Sequence, residues 1–161
     1  MKLIIPLHIQ DQIGDVVSES ELETGVVLFG ERTGEDFTVL GIAGPGPNAT
    51  HELAHYSGNE DYATMVFEDL LKGNPNLKHI GELHVHPFRM RNLSRGDRAT
   101  VKELLNEYEE FIAGVMLPGW WLRYYPVFFS RQYPEGQNME VKLEGQTNRG
   151  GWFGYRRKRR R

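Results

Sequence analysis

Cysteine is absent from all 161 residues of this sequence, and its absence excludes several kinds of protein. Without thiols the chain forms no disulfide, so its stability must come from a packed core rather than from covalent cross-links. Every metal site built on cysteine is excluded as well, including zinc fingers and the zinc deaminases, whose pattern requires two cysteines. The lack of cysteine also suits a reducing compartment, and we expect a cytoplasmic protein.

Long apolar runs are missing too. No segment approaches the roughly 20 apolar residues that a membrane-spanning helix needs, so we expect no membrane association. The amino-terminal sequence MKLIIPLHIQDQ lacks the apolar stretch and the small-residue cleavage site of a secretory signal.

The composition provides enough apolar material for one domain, since hydrophobic residues make up 39% of the chain. The net charge of −3 hides an asymmetry: residues 156–161 are all basic, while residues 1–155 carry 13 basic and 22 acidic side chains, a net charge of −9. We therefore predict a folded domain over residues 1–145 and a disordered Gly/Arg-rich tail over residues 146–161. The acidic body disfavours nucleic acid as a partner, and only the tail leaves that contact open.

The hydrophobic pattern predicts a mixed α/β domain. Apolar runs and alternation indicate strands, and apolar positions three and four residues apart indicate helices. Strands are predicted over residues 3–7, 25–29, 37–43, 78–84, 111–117, 120–129 and 139–143. Helices are predicted around residues 9–17, over 61–72 and after Ser94. In the second helix we expect four side chains to face the core: Tyr62, Met65, Val66 and Leu70. This order of elements favours a curved mixed sheet flanked by helices.

The residues most informative about chemistry are His84, His86 and Asp97. On a strand, side chains two residues apart leave the same face, so both imidazoles can converge on one ion. Pro87 marks the end of that strand, and Ser94 followed by Asp97 three residues later is the pattern of a helix cap, which would hold Asp97 near the strand end. Three N and O ligands leave one tetrahedral position for water, as in catalytic zinc sites.

The string His84-Val85-His86-Pro87, six residues, then Ser94-Arg95-Gly96-Asp97 resembles the JAMM metalloproteases, also called the JAB or MPN+ family. Their pattern is HxHP, six residues, then SxxD, and the match is complete in residue type and spacing. The resemblance spans most of residues 1–130 and is strongest to prokaryotic JAB proteins. It implies the MPN fold, with deaminase-like layering, over residues 1–145.

The family also carries an upstream glutamate on a segment resembling E-x-x-G-x-L-x-G. The segment from Glu23 to Gly30 fits this pattern, with Val26 where the family usually has glycine. The resemblance therefore implies Glu23 as the general base. Glu21 and Glu31 do not have the right offset. Glu82, two residues before His84, is interpreted as a carboxylate that either supports a ligand or faces solvent.

The resemblance implies a zinc isopeptidase or peptidase with one Zn²⁺ per chain, held by His84, His86 and Asp97. It gives Ser94 the role of hydrogen-bond donor to the oxyanion. It also implies hydrolysis after the C-terminal glycine region of a ubiquitin-like protein, which would be deconjugated or processed from a precursor in a pathway with activating and conjugating enzymes. Three alternatives stay open: a catalytically silent MPN scaffold, a general metallopeptidase that trims small proteins, and a nucleic-acid-binding module.

Other features are less specific. His51 and His55 could bind a second metal ion if they lay on a helix, although a surface loop is favoured there. The aromatic residues between 120 and 129 are interpreted as a strand buried on both faces rather than as a ligand site. Residues 44–60 and 87–93 are candidate substrate contacts or plain loops.

Overall fold

The computed structural model describes residues 1–19, 24–51, 56–86 and 90–145. In this part of the chain the three helices are α1 Leu7–Glu19, α2 Glu60–Leu71 and α3 Arg95–Leu104. The strands are β1 Lys2–Ile5, β2 Gly25–Thr33, β3 Asp36–Ala43, β4 Thr50–His51, β5 Tyr56–Ser57, β6 Lys78–Val85, β7 Glu110–Leu117, β8 Arg123–Ser130, β9 Gln137–Asn138 and β10 Glu140–Leu143. The tail beyond residue 145 lies outside the described residues, so its predicted disorder stays a prediction.

Eight of the strands form one mixed sheet in the order β10-β1-β3-β2-β6-β7-β8-β9. Strands β9 and β10 lie at opposite ends of this order, yet only Met139 separates them in the chain. The two edges of the sheet must therefore approach each other, and the sheet is nearly closed into a barrel. Met139 is buried in the core at this closure. The expected mixed α/β domain with a curved mixed sheet is confirmed at this level.

Helix α1 covers one side of the sheet with its apolar stripe. Ile9, Ile13 and Val17 recur every four residues, which places them on one helical face, and all three are buried. They join a core cluster that includes Leu3 of β1 and Leu83 of β6. The predicted helix is confirmed, and its buried face is the one that the spacing of apolar residues identified.

Helix α2 forms a smaller cluster with Phe29, Ala43 and Leu77. The sequence prediction was wrong about one of its core-facing residues, because Met65 is 58% exposed and Phe67 packs inward instead, its ring 5.3 Å from that of Phe29. The other three predicted residues, Tyr62, Val66 and Leu70, do pack in this cluster, and Met65 lies away from their face.

Helix α3 covers the other side of the sheet. Its Val101, with Leu105 just after its end, is buried against β7 and β8, as the apolar spacing predicts. Strand β7 is consequently covered on both faces, and every residue from Phe111 to Leu117 is buried. This is the burial expected of a central strand with a parallel neighbour, which here is β6.

Strand β6 contains a bulge that changes which side chains share a face. Leu28 pairs with Gly81 and Phe29 pairs with His79, so Ile80 is an extra residue on β6. Simple alternation would put His79 on the face opposite His84. The bulge puts both on the same face, where the His79 ring contacts those of Phe29 and Phe111.

Gly81 is required at this bulge because a Cβ there would collide with the carbonyl oxygen of Ile112 on β7. We expect Gly81→Ala to lower the free energy of unfolding by about 1–3 kcal/mol or more, the usual cost of overpacking. Urea denaturation measures the change. Gly73→Ala is the matched control, since the nearest atom to its added Cβ lies 3.9 Å away. Equal stability of the two variants would contradict the steric role of Gly81.

The aromatic segment after β7 differs from the prediction. Strand β8 begins only at Arg123, and Trp120 and Trp121 are 83% and 71% exposed. Pro118 and Gly119 interrupt the chain between β7 and β8, so the two tryptophans lie on a connecting loop rather than in the sheet. Phe128 and Phe129 are buried as predicted.

Within the described residues, no helix has the length and apolar character needed to cross a membrane.

Candidate metal centre

The two histidines lie at the carboxyl end of β6, between two neighbouring strands. His84 is paired with Gly25 of β2 on one side and with Val115 of β7 on the other. The pairing partner on β2 has no side chain, so no Cβ competes with the imidazole on that side. His86 follows two residues later and is 6% exposed. Backbone pairing on both sides therefore fixes the strand that carries the ligands.

Asp97 is brought to the same place by the start of α3. The Ser94 side chain accepts a hydrogen bond from the Asp97 backbone N–H at 3.1 Å, and the Asp97 carboxylate accepts one from the Ser94 backbone N–H at 2.6 Å. This reciprocal capping box fixes the first turn of the helix. The predicted cap is confirmed. It also orients the carboxylate that faces the histidines.

The three side chains form a compact group. His86 Nε2 lies 3.1 Å from Asp97 Oδ2, His84 Nε2 lies 3.6 Å from Asp97 Oδ1, and the two imidazole ring centres are 4.6 Å apart. One ligand atom from each residue can be chosen so that all lie within 4.8 Å of one another. The group could hold a metal ion, as the sequence pattern predicts.

The protonation states of His84 and Asp97 suit a bound cation. Burial lowers the pKa of His84, although the nearby Asp97 carboxylate opposes that shift. Burial works against ionisation of Asp97, but the hydrogen bonds from Ser94 and the neighbouring histidines outweigh it and hold the pKa of the carboxyl below its usual value. A neutral imidazole and an ionised carboxylate are the forms that bind metal.

Two buried nitrogens of this group lack a hydrogen-bond partner among the described residues. They are Nε2 of His84 and Nδ1 of His86. Buried polar atoms in native proteins are normally paired, because an unpaired one costs about 1–3 kcal/mol. An ion bound by His84 and Asp97 would satisfy the first of these atoms, so the residues present fit a metal ion.

Glu82 lies on the same face of β6, two residues before His84. Its side chain is exposed to solvent, yet the surrounding protein atoms partly desolvate it. This desolvation raises its pKa, and the nearby Glu60 raises it further. Among the described residues Glu82 makes no hydrogen bond to the three candidate ligands, which favours the interpretation of a carboxylate facing solvent.

The other predicted site residues have different outcomes. Ser94 lies beside Asp97, as expected. Glu23, Pro87, His55 and the tail lie outside the described residues, so the structure leaves their predicted roles untested. Sequence reasoning missed one feature of the surroundings: it assigned Trp120 and Trp121 to a buried strand, although the adjacent Pro-Gly pair was a signal for a loop.

Comparison with known proteins gives a likeness of fold. No family model matches the chain, and no curated protein matches it. Among solved structures, the solution structure of protein DSY2949 from Desulfitobacterium hafniense is similar, with a TM-score of 0.68 and 13% sequence identity. The match covers 91% of this chain and 95% of that one. Identity this low establishes a shared mixed α/β architecture and nothing about chemistry.

Proposed function

We propose that this protein is a zinc-dependent isopeptidase or peptidase of the JAMM type. The observation that carries the proposal is the convergence of His84, His86 and Asp97, which come from the end of β6 and the start of α3; His86 and Asp97 are eleven residues apart in the chain. These are the residues that the HxHP-x6-SxxD pattern singles out. A nearly closed mixed sheet with helices on both sides is compatible with the MPN fold, which we propose for residues 1–145.

The ligand set favours zinc over harder cations. Two imidazoles and one carboxylate suit zinc, whereas Mg²⁺ and Ca²⁺ prefer oxygen ligands throughout. Bound at these three residues, zinc would supply a hydroxide-like nucleophile at neutral pH, because it lowers the pKa of its water from 15.7 to about 7. His84, His86 and Asp97 would hold the ion and leave one position open.

Glu23 is proposed as the group that accepts the proton of the attacking water and passes it to the leaving amine. Its neighbour Thr24 accepts a 2.7 Å hydrogen bond at its carbonyl oxygen from the backbone N–H of Val85, the residue between the two histidines. This hydrogen bond holds Thr24, the residue that follows Glu23 in the chain, against the strand that carries His84. Glu31 is at the far end of β2 and is not a competitor.

Ser94 is proposed to donate its hydroxyl hydrogen to the oxyanion that forms when water adds to the carbonyl. In the helix cap Oγ accepts a hydrogen bond, and the hydroxyl also interacts with the Asp97 carboxylate, so its hydrogen is proposed to turn to the oxyanion when substrate is bound. The side chain is exposed next to Asp97, where a bound substrate would lie. One residue therefore can cap α3 and stabilise developing negative charge.

Ser94→Gly should separate these two roles. Glycine caps helices within a few tenths of a kcal/mol of serine, so stability should change little, whereas loss of one oxyanion donor should lower kcat by about 10²- to 10³-fold. Ser94→Thr keeps the hydroxyl and should retain most activity. Thermal unfolding and turnover measured on the same preparations test this. If Ser94→Gly stayed fully active, the serine would be a structural cap alone.

The proposed substrate is a ubiquitin-like protein or its conjugate, cleaved after the C-terminal glycine region. An extended glycine-containing tail can approach a strand end closely and pair its backbone with a sheet edge. The test is incubation of the zinc-loaded protein with ubiquitin-like fusions and with unstructured peptides of the same tail sequence. We expect cleavage of the fusions after the glycines, abolished by a zinc chelator, restored by zinc and unaffected by thiol alkylation, since there is no cysteine.

The outcomes of this test separate the alternatives. Equal hydrolysis of unstructured peptides, with no gain from the folded domain, would indicate the general metallopeptidase. Zinc binding without any hydrolysis would indicate the silent scaffold, which the complete ligand set argues against. A protein that binds no zinc would overturn the proposal.

A further inference from the structure

The loop of residues 118–122, here called the tryptophan loop, presents two adjacent and almost fully exposed indole rings. Trp120 is 83% exposed and Trp121 is 71% exposed. Large apolar side chains are ordinarily buried, and tryptophan is the residue most enriched among the anchors of protein interfaces. Two such side chains in sequence therefore need an explanation that the fold itself does not provide.

The tryptophan loop and the candidate metal centre lie at the same end of neighbouring strands, the carboxyl end of β6 and β7. Strand β7 runs parallel to β6, with His84 beside Val115 and Val85 beside Met116. The end of β7 at Leu117 is therefore level with His86. Since neighbouring strands lie about 4.8 Å apart, the start of β8 after the loop is about 10 Å from the ligand strand.

Two arginines that form no ion pair with a described carboxylate lie near this loop. Arg123 pairs with Leu117 across β7 and β8, and the Arg91 guanidinium lies 5.8 Å from the ring centre of Tyr125, the partner of Val115. Both arginines are thus on or beside the face of the sheet that carries His84. Neither forms an ion pair with a carboxylate of any described residue.

The local charge is opposite to that of the rest of the body. Residues 1–145 carry 12 basic and 22 acidic side chains, whereas residues 89–102 carry five basic side chains and one acidic side chain, Asp97. Two of those five, Arg98 and Lys102, are engaged by Glu135. Of the remaining basic residues, Arg91 lies beside the face of the sheet that carries His84, so its positive charge is near the candidate metal centre.

We propose that Trp120, Trp121, Arg91 and Arg123 form a docking surface for the folded domain of the substrate, and that this domain presents an apolar spot surrounded by acidic groups. This inference rests on the proposed function and specifies its substrate. The distance of about 10 Å corresponds to about three extended residues, so a domain joined to the scissile bond by a short tail would meet the surface. The basic tail of this chain is excluded as occupant by its charge.

Nucleic acid is the other partner with stacking surfaces and negative charge. The acidic body disfavours it, because a nucleic acid long enough to extend past the loop would meet a surface with a large excess of carboxylates. A compact protein domain can match the small basic area and avoid the remainder. The observations therefore favour a protein.

The first experiment measures binding independently of hydrolysis, with the metal-free full-length protein. The probes are ubiquitin and ubiquitin whose lysines have been succinylated, which replaces each positive charge by a negative one and is checked for retained fold by circular dichroism. We expect the succinylated form to bind at least tenfold more tightly and to shift the tryptophan emission to shorter wavelength. Trp120→Ala/Trp121→Ala should weaken binding at least tenfold, and Arg91→Glu/Arg123→Glu should reverse the preference between the probes.

The control variants change exposed apolar and basic side chains outside the proposed docking surface. Tyr133→Ala and Met65→Ala remove exposed apolar side chains elsewhere, and Lys78→Glu reverses a charge at the opposite end of β6. These variants should bind both probes as the unmodified protein does. Three results would overturn the proposal. The control variants could weaken binding as much as the tryptophan variant does, or an oligonucleotide could bind more tightly than either protein probe. The third is self-association of the free protein, seen as a solution mass that falls when the tryptophans are replaced.

The second experiment measures hydrolysis by the zinc-loaded protein of C-terminal aminomethylcoumarin derivatives of succinylated ubiquitin and of its last five residues. In the double tryptophan variant, kcat/KM for the folded probe divided by kcat/KM for the peptide probe should fall at least tenfold. The change should come from a higher KM for the folded probe, with zinc content retained. An unchanged ratio would overturn the docking surface while leaving the proposed function intact. Selective binding without hydrolysis would support the docking surface and count against the proposed function.

Discussion

Replacing His86 by alanine is expected to remove both the bound zinc and the hydrolytic activity. In the proposed centre His86 is one of three protein ligands and is only 6% exposed, so its loss would leave the ion with two of them. The same result is expected for His84→Ala and Asp97→Ala. Elemental analysis and turnover, measured on the same dialysed samples, should fall together to background.

His8→Ala is the control for this experiment, because His8 is exposed on α1 and does not belong to the ligand group. It should retain one zinc per chain and full activity. Asp97→Ala also removes half of the capping box of α3, so circular dichroism should accompany it. Full zinc occupancy in folded His86→Ala would mean that the ligands are wrongly assigned.

Substituting Glu23 by glutamine is expected to lower turnover by about 10²- to 10⁴-fold while zinc content and fold are retained. The amide is similar in size to the carboxylate, but it cannot accept the proton of the attacking water. The comparison of kcat at equal zinc occupancy is therefore a direct test of the general base.

Two carboxylates serve as controls. Glu31→Gln, at the far end of β2, should leave turnover unchanged. Glu82→Gln tests the main competitor, since Glu82 shares the face of His84 and its pKa is raised by desolvation and by Glu60. An active Glu23→Gln protein together with an inactive Glu82→Gln protein would move the general base to β6.

Much of the candidate site could be predicted because its determinants are local. Two histidines two residues apart on a strand share a face whatever the strand packs against, and Ser94 and Asp97 cap a helix through contacts within one turn. The same reasoning predicted the buried face of α1 from the spacing of Ile9, Ile13 and Val17. Each of these predictions depends on geometry that repeats over a few residues.

Most of the failures occurred where distant partners decide. Met65 and Phe67 are both apolar and close in sequence, and the position of Phe29 on another strand selects the one that packs inward. The bulge at Ile80 arises from the pairing of β6 with β2, so no pattern within β6 reveals that His79 and His84 share a face. Trp120 and Trp121 are apolar and were assigned to a buried strand, yet they lie on the loop beyond the end of β7, where the preceding Pro118-Gly119 pair was the local signal that the prediction missed.

The sequence alone determined the three candidate ligand residues, the cap that orients Asp97 and most helices and strands, because backbone periodicity and hydrogen bonds within a single turn are local. Only the tertiary structure decided that β6 lies between β2 and β7 and that the tryptophan loop lies at the same end of these strands as the candidate metal centre. It also decided that the Asp97 carboxylate lies within hydrogen-bonding distance of His86 and 3.6 Å from His84. Those arrangements depend on pairing and packing between segments far apart in the chain. Their free energies are set by which surfaces are buried together, and no short stretch of sequence contains that information.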